Sequence, residues 1–310
     1  MTRSVFIDGA AGTTGLEIRE RLAARGELDL VALDDARRKD PEARRQALND
    51  ADVVILCLPD DAARDSVAMI ANDRTRVIDA STAHRVADGW TYGFPELEPA
   101  QAAAISEAPR VANPGCYPTG FLALVRPLVR AGLIPADWPL SVNAVSGYSG
   151  GGRSMIDEYR AAGEAAPAWR GYALGLAHKH LPEMQRHARI ERPPVFMPAV
   201  VNLFRGMVVE VPLTLHALPR RTSIEALRDV LATAYAGSDI VRVADGDAAT
   251  IAVEADAGTD RMTLHVTGNA DPGQARLIAT LDNLGKGAAG AAVQNLNLML
   301  GLPAATGLTL

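Results

Sequence analysis

Cys116 stands in the run Asn113-Pro114-Gly115-Cys116-Tyr117-Pro118-Thr119-Gly120, directly ahead of the apolar stretch FLALVRPLVRAG. A thiol attacks as thiolate, and the partial positive charge at a helix N-terminus lowers its pKa. Pro114-Gly115 makes a turn and Pro118 suits the first helical position, so a helix is expected to open at or just after the cysteine. A nucleophilic thiolate needs an acid–base partner, and the segment His178-Lys179-His180-Leu181-Pro182-Glu183 offers one, with Pro182 and Glu183 in the first turn of an expected helix. Glu183 follows His180 at helical spacing, close enough to orient its ring or raise its pKa. His180 is therefore the expected proton donor, and His178 a ligand for substrate or phosphate alongside Arg153. A further polar loop, Ser146-Gly147-Tyr148-Ser149-Gly150-Gly151-Gly152-Arg153, offers the hydroxyls of Ser146 and Ser149, free backbone N–H groups and a guanidinium, a set suited to phosphate or carboxylate.

The other candidates for chemistry read as structural. Cys57 lies inside the apolar run VVILCLP and is expected to be a buried small hydrophobe. His187, His216 and His265 fall on a helix or in strand-like runs. Two cysteines cannot complete a zinc site, and near the histidine pair only Glu183 could add a carboxylate, so no metal site is expected.

Gly9, Gly12 and Gly15 follow an apolar run directly and precede a helical one. Small residues there let the backbone approach a pyrophosphate, whose charge a helix N-terminus stabilises. After the next strand-like run comes Asp34-Asp35-Ala36-Arg37-Arg38-Lys39. An acid in this place bonds the ribose hydroxyls of NAD, whereas arginines hold the 2′-phosphate of NADP. Both are present, and residue type alone leaves the choice open.

These groups need a scaffold. SVFID (4–8) reads as a strand, GLEIRERLAARG as a helix ending at Gly26, LDLVALD (28–34) as a strand, and PEARRQALND as a helix opened by Pro41. The strand ADVVILCLP, the helix DDAARDSVAMIAN capped by Asp60 or Asp61, and the strand RVIDAS (76–81) continue the alternation. That is the pattern of a parallel α/β sheet. Beyond the cysteine helix, SVNAVSGYSGGG (141–152) is a strand entering a glycine loop. FMPAVVNL, MVVEVPLTL, DIVRVA, TIAVEA, RMTLHVTG and ARLIATLD are then strand candidates around one helix, SIEALRDVLATAYA, with Thr222 and Glu225 placed as a capping box. A mixed, largely antiparallel second domain follows. KGAAGAAVQNLNLML is helical again.

At 310 residues the chain is long for one core, and 48% hydrophobic with 22% charged residues describes an ordinary soluble protein. A net charge of −6 gives no footprint for nucleic acid or an anionic membrane. The N-terminus reaches its glycine loop too early for a signal peptide, and no apolar run approaches the roughly 20 residues of a membrane span. A cytoplasmic protein is expected. Basic residues are almost all arginine, which codon bias explains; of the three lysines, Lys39, Lys179 and Lys286, two lie in segments singled out by the chemistry.

VANPGCYPTG, VSGYSGGGR, HKHLPE and DNLGKGAAGAAVQNLNLMLGLP together resemble the N-acetyl-gamma-glutamyl-phosphate reductases of arginine biosynthesis. The likeness runs from GAAGTTG to the C-terminus; the cysteine motif and C-terminal segment are specific, and the glycine loop is shared with semialdehyde dehydrogenases generally. Chain length and the phrases DASTAHR and YGFPELEP are similar to the family's shorter form. Departures from the longer form are Thr14, where an aromatic is common, and His84, where phenylalanine is usual.

The resemblance implies a Rossmann-type parallel-sheet dinucleotide domain, residues 1–115 with 286–310, and an α+β catalytic and oligomerisation domain with a mainly antiparallel sheet, residues 116–285. It implies Cys116 as nucleophile and the His178/His180 pair as acid–base. NADPH would be held by Gly9, Gly12, Thr13, Thr14, Gly15, Arg37, Arg38, Asn283 and Lys286, with Gly287 beside them. A small-molecule acyl phosphate would be held by Ser81, Arg85, Asn113, Ser146, Ser149, Arg153 and Glu183. The chain would work as a homo-oligomer, dimer or tetramer, forming and reducing a cysteine thioester. The rivals are aspartate-semialdehyde dehydrogenase, against which KHLPE and VQNLNLMLGLP argue, a non-catalytic dinucleotide-binding sensor, and a cysteine hydrolase.

Overall fold

The computed structural model describes every residue except Met1, Asp35, Asp247 and Pro272. It divides into two compact units, Met1–Pro114 with Ala288–Leu308, and Gly115–Gly287 with Thr309–Leu310. Among the described residues no helix is long and apolar enough to cross a membrane.

The first unit runs β1 (Arg3–Asp8), α1 (Thr13–Leu22), β2 (Leu28–Val31), α2 (Pro41–Asp50), β3 (Val53–Leu56), α3 (Asp60–Met69), β4 (Arg76–Asp79), β5 (Thr91–Tyr92), α4 (Gln101–Glu107) and β6 (Arg110–Ala112). The second holds α5 (Cys116–Arg130), β7 (Ser141–Gly147), α6 (Gly152–Ala162), β8 (Trp169–Gly171), α7 (Leu181–Ala188), β9 (Val195–Val201), β10 (Met207–Thr214), α8 (Ile224–Ala234), β11 (Val241–Val243), β12 (Met262–Asn269) and β13 (Gln274–Leu281). A π-helical turn, Gly285–Ala289, leads into α9 (Gly290–Met299), which rejoins the first unit.

In the first unit all strand pairs are parallel, in the order β2-β1-β3-β4-β6-β5. Side chains alternate across its faces. Val5, Ile7, Val53, Ile55 and Ile78 bury one face against Ile18 and Leu22 of α1, Ile105 of α4, and Ala292, Val293, Leu296 and Met299 of α9. Phe6, Val54, Leu56 and Val77 bury the other against Ala47 and Leu48 of α2 and Ala63 of α3. Each of the large α9 side chains contributes about 1.5–3 kcal/mol by leaving water.

The polar residues of α9 are stitches. Gln294 donates to Glu96 at 2.7 Å, and Asn295 to the Gly93 carbonyl at 2.9 Å and the Asn113 side chain at 3.0 Å. Asn297 accepts from Arg25 at 3.0 Å and donates to the Ala304 and Thr306 carbonyls. A buried amide left unbonded costs free energy, so these bonds hold the helix in one register.

The second unit is a seven-stranded mixed sheet, β11-β12-β13-β10-β7-β9-β8, with the β11–β12 and β7–β9 pairs parallel and the rest antiparallel. In β10, Met207, Val209, Val211 and Leu213 point into the core in strict alternation. Helix α5 lies close on this face because Gly120 has no side chain: a Cβ there would meet Val209 at 2.8 Å.

Several local expectations are corrected. Helix α1 opens at Thr13 and ends at Leu22, not Gly26, so Thr13, Thr14 and Gly15 form its first turn. The N-cap of α3 is Pro59, with Asp60 and Asp61 inside the first turn, where Asp60 accepts instead from the backbone N–H and hydroxyl of Thr82. Helix α8 is capped by Ser223 rather than Thr222; the Ser223 hydroxyl accepts from Ala226 N–H at 3.2 Å. TIAVEA forms no strand, because its Val253 carbonyl lies over Gly206, where a Cβ would come within 2.6 Å, instead of joining a ladder. β5, β6, β8 and α4 are too short to announce themselves, and α6, which buries Ile156 and Tyr159 on one face, was hidden behind the glycine run at 150–152.

Candidate active site

In the second unit, Gly115 is the extended N-cap of α5 and Cys116 its first residue, which places Pro118 at the third position rather than the first. Gly115 is gripped at both ends. Its N–H donates to Glu183 Oε1 at 2.8 Å, and its carbonyl accepts from the N–H of Thr119 at 2.9 Å and from the Thr119 hydroxyl at 2.8 Å. Gly287 lies against the nucleophile: a Cβ there would sit 2.9 Å from Cys116 Cβ. The sequence reading assigned Gly287 to the cofactor; its nearest neighbours are Cys116 and the Asp282 carbonyl.

His178 and His180 meet at 4.7 Å between ring centroids, among Tyr117, Tyr172 and Phe196. His178 Nδ1 accepts from His180 N–H at 3.1 Å, which assigns the His178 proton to Nε2. Burial, then the neighbouring Lys179 charge, pushes His178 down to about 4, so it is neutral at physiological pH. His180 is buried and is the N-cap of α7, whose third residue is Glu183. Tyr117 donates to the Ala199 carbonyl at 3.2 Å and also meets the hydroxyls of Tyr172 and Ser146. Burial, together with the nearby Cys116, pushes the Tyr172 hydroxyl up to about 12, leaving it a hydrogen-bond donor at neutral pH. Tyr172 was missed in the sequence; it sits in the connector RGYALG, and only its position shortly before His178 hinted at it.

Ser146 and Ser149 are buried, but their loop is not an open cradle. The N–H groups of Gly147, Tyr148 and Ser149 donate to the carbonyls of Gly206, Leu203 and Phe204. Ser149 accepts from Asn283 at 2.8 Å, and Asn283 accepts from Gly206 N–H at 3.0 Å. Asn283 is thus a tie inside this unit. Lys286 is buried. Arg153, the second residue of α6, has its side chain 78% exposed and 3.8 Å from Asp157. Among the described residues no cluster of three or more His, Cys, Asp or Glu could hold a metal.

In the first unit, Gly9 has a φ of +91°, and a Cβ on Gly9 or Gly15 would strike the Cys57 or Gly9 carbonyl. The loop therefore folds down tightly over the ends of β1 and β3. Among the described residues, no side chain caps α1 and its first turn holds no acid, so its N-terminal dipole is left for an anion. Asp34 Oδ1 accepts from Arg37 N–H at 2.8 Å; the acid shapes the turn, and Arg37 and Arg38 are exposed. Asp35 lies outside the described residues. These features fit a dinucleotide.

Ser81, Arg85 and Asn113 are buried and spoken for. Asp79 accepts from the Ser81 N–H at 2.9 Å and hydroxyl at 2.7 Å, and lies 2.6 Å from His84 Nδ1; His84 stacks on Trp90. Arg85 donates to the Asn113 and Ala80 carbonyls, and Asn113 donates to the Ala288 carbonyl while accepting from Asn295. These residues clamp the ends of β4 and β6. Cys57 is half-buried; burial, reinforced by Asp79 and Asp8, pushes its thiol up to about 12.

A parallel nucleotide-type sheet, a mixed second sheet and a cysteine that opens a helix in the same unit as a histidine pair define a semialdehyde dehydrogenase. Family models agree: "Semialdehyde dehydrogenase, NAD binding domain" matches residues 35–105, and "Semialdehyde dehydrogenase, dimerisation domain" matches 116–283. The fold is similar to aspartate semialdehyde dehydrogenase II from Vibrio cholerae (TM-score 0.74, 20% identity, covering 97% of this chain and 99% of that one). It is also similar to aspartate semialdehyde dehydrogenase with NADP from Candida albicans (TM-score 0.66, 14% identity, 97% and 99% covered). Sequence similarity is narrower. N-acetyl-gamma-glutamyl-phosphate reductase of Chelativorans sp. (strain BNC1) is 54% identical over 97% of this chain and 99% of its own, and that of Mesorhizobium japonicum 51% identical over 97% and 100%. This chain belongs to the N-acetyl-gamma-glutamyl-phosphate reductase family.

Proposed function

We propose that the chain reduces N-acetyl-gamma-glutamyl phosphate to N-acetylglutamate semialdehyde and phosphate, with NADPH as reductant and Cys116 as nucleophile. The observation that carries this reading is the seat of Cys116: first residue of α5, with Gly115 fixed before it and the His178/His180/Tyr172 cluster in the same unit.

The helix N-terminus favours the Cys116 thiolate. The thiolate attacks the acyl carbon, a C–S bond forms, the C–O bond to phosphorus breaks, and phosphate departs. A bound nicotinamide supplies the hydride that reduces the resulting thioester carbonyl. His180 gives a proton to the oxygen of the thiohemiacetal and takes it back as the C–S bond breaks and the thiolate is regenerated. His178 suits this role less: it is neutral, and its Nδ1 is occupied by His180 N–H. Its Nε2–H and the Tyr172 hydroxyl are donors for substrate or phosphate oxygens. Gly9, Gly12, Thr13, Thr14 and Gly15 would hold the pyrophosphate. With Asp34 committed to its turn, Arg37 and Arg38 are the groups for a 2′-phosphate, which favours NADP.

The chain acts as a homo-oligomer, dimer or tetramer. Trp169 (63% exposed), Leu174 (84%), Leu176, Val195 and Met197 leave apolar surface bare on β8, β9 and the adjoining loop. A soluble protein covers such a patch, and a second copy is the cover proposed.

The deciding assay is NADP⁺ reduction by N-acetylglutamate semialdehyde with and without phosphate. Phosphate-dependent turnover is expected. Turnover only with aspartate semialdehyde would overturn the substrate, and phosphate-independent turnover would overturn the acyl-phosphate chemistry.

A further inference from the structure

The sequence reading gave Glu183 to the substrate. Its side chain is only 1% exposed, and Oε1 is spent on the Gly115 N–H, so it offers little surface to any ligand. The Gly115 N–H belongs to the residue immediately before the nucleophile, and the opposite end of that residue is already held by Thr119. Glu183 itself is the third residue of α7, and the N-cap of the same helix is His180, tied into the first turn by the Met184 N–H donating to its carbonyl at 3.0 Å. One carboxylate thus joins the turn that carries the thiol to the helix turn that carries the imidazole, across 68 residues of sequence.

We propose that Glu183 is a positioning residue, fixing the Cys116 turn and the His180 turn in one register, and not a ligand of the substrate. The proposal deepens the cysteine–histidine mechanism above and rests on it for its catalytic meaning. Proton transfer between a thiohemiacetal on Cys116 and an imidazole requires heavy atoms held within hydrogen-bond reach. The α5 and α7 segments have no local sequence contact to set that distance. Glutamate is long enough to span the gap from α7 and presents an acceptor to a backbone N–H that helix α5 itself cannot satisfy.

The test compares Glu183→Ala, Glu183→Asp and Glu183→Gln. Glutamine keeps an acceptor oxygen at the same reach; aspartate keeps the charge but falls short by one methylene. Two quantities are read: kcat and KM for the acyl phosphate, and amide hydrogen exchange, without substrate, in peptides covering 113–119 and 178–186. The alanine and aspartate variants are expected to lose about 100-fold in kcat, the effect of about 1 Å of misplacement, with KM near wild type. Exchange should quicken in both peptides, and glutamine should restore most of both readouts. A raised KM with kcat retained would make Glu183 a substrate ligand and overturn the proposal. Unchanged exchange in the alanine variant would do the same, as would glutamine being as inactive as alanine, which would make the charge and not the acceptor the requirement. Should the wild type be inert toward the acyl phosphate, the reaction assignment falls, and the exchange comparison still decides whether Glu183 anchors the two turns.

Discussion

Replacing Gly287 by alanine pushes one methyl group against Cys116 Cβ, the carbon that bears the nucleophilic sulfur. Its Cβ would lie 2.9 Å from Cys116 Cβ, 3.4 Å from Cys116 Cα and 3.0 Å from the Asp282 carbonyl oxygen. Non-bonded carbons prefer about 3.5–4.0 Å, so the methyl needs roughly 0.6–1 Å of extra room. Neither obstacle is a flexible tip. Cys116 is fixed in the first turn of α5, and the Asp282 carbonyl accepts the N–H of Gly287 itself at 2.9 Å. Overpacking of this kind costs about 1–3 kcal/mol. Alanine's better helical propensity returns up to about 1 kcal/mol. The net loss of stability is small, and Tm should fall by only a few degrees. Activity is more exposed, because about 1 Å of displacement at a reacting atom costs about 100-fold, or about 2.7 kcal/mol of barrier. Turnover followed by NADPH absorbance, with Tm measured in parallel, should therefore show kcat falling far more than stability. A Gly287→Ala enzyme with full kcat and an equal or higher Tm would refute the claim that this glycine seats the nucleophile.

Cys116→Ser should abolish turnover while leaving NADPH affinity intact; Cys57→Ser should retain turnover, and Cys57, with its thiol pushed up to about 12, should resist iodoacetamide at pH 8 while Cys116 is alkylated. An Arg37→Ala/Arg38→Ala enzyme should lose its preference for NADPH over NADH in kcat/KM; an unchanged ratio would remove both arginines from the 2′-phosphate site. His180→Asn should lose about 10²–10⁴-fold in turnover, the usual contribution of an acid–base group, whereas His178→Asn should chiefly raise KM. His178, held down to about 4, binds its proton more readily in the unfolded chain, so its contribution to stability is full above about pH 6.5 and lost as pH falls toward 4. His178→Asn should flatten the fall of Tm with acid over that window, and an unchanged slope would contradict the burial assigned to it.

What the sequence revealed depended on how local each signal was. The opening of α5 at Cys116 was readable because turn, cysteine and apolar helix are contiguous. The alternation in β10 was readable for the same reason, as was Pro41 at the start of α2. Ser81, Arg85, Asn113 and Asn283 were given to ligands by resemblance alone; their bonds within each unit, to Asp79, to backbone carbonyls and to Ser149, had no local signal in the sequence. The free N–H groups expected at 147–149 were lost the same way, to the loop at 203–206. Gly287 and Tyr172 owe their places beside Cys116 to tertiary packing that no spacing encodes.

The return of α9 to the first unit has a consequence for how the chain is made. Ala292, Val293, Leu296 and Met299 cover a face of the parallel sheet that Val5, Ile7, Ile55 and Ile78 present from the other end of the sequence. A ribosome adding about 5–20 residues per second needs roughly 10–35 s to pass from Gly115 to Gly287. For that interval the sheet waits with apolar strands uncovered and with the Asn113 and Gly93 groups unanswered by Asn295. The half of the protein that emerges first is thus the half that closes last. Nascent chains stalled before α9 should bind chaperones and be cut by proteases within residues 1–114, and should lose that sensitivity once Met299 has left the exit tunnel.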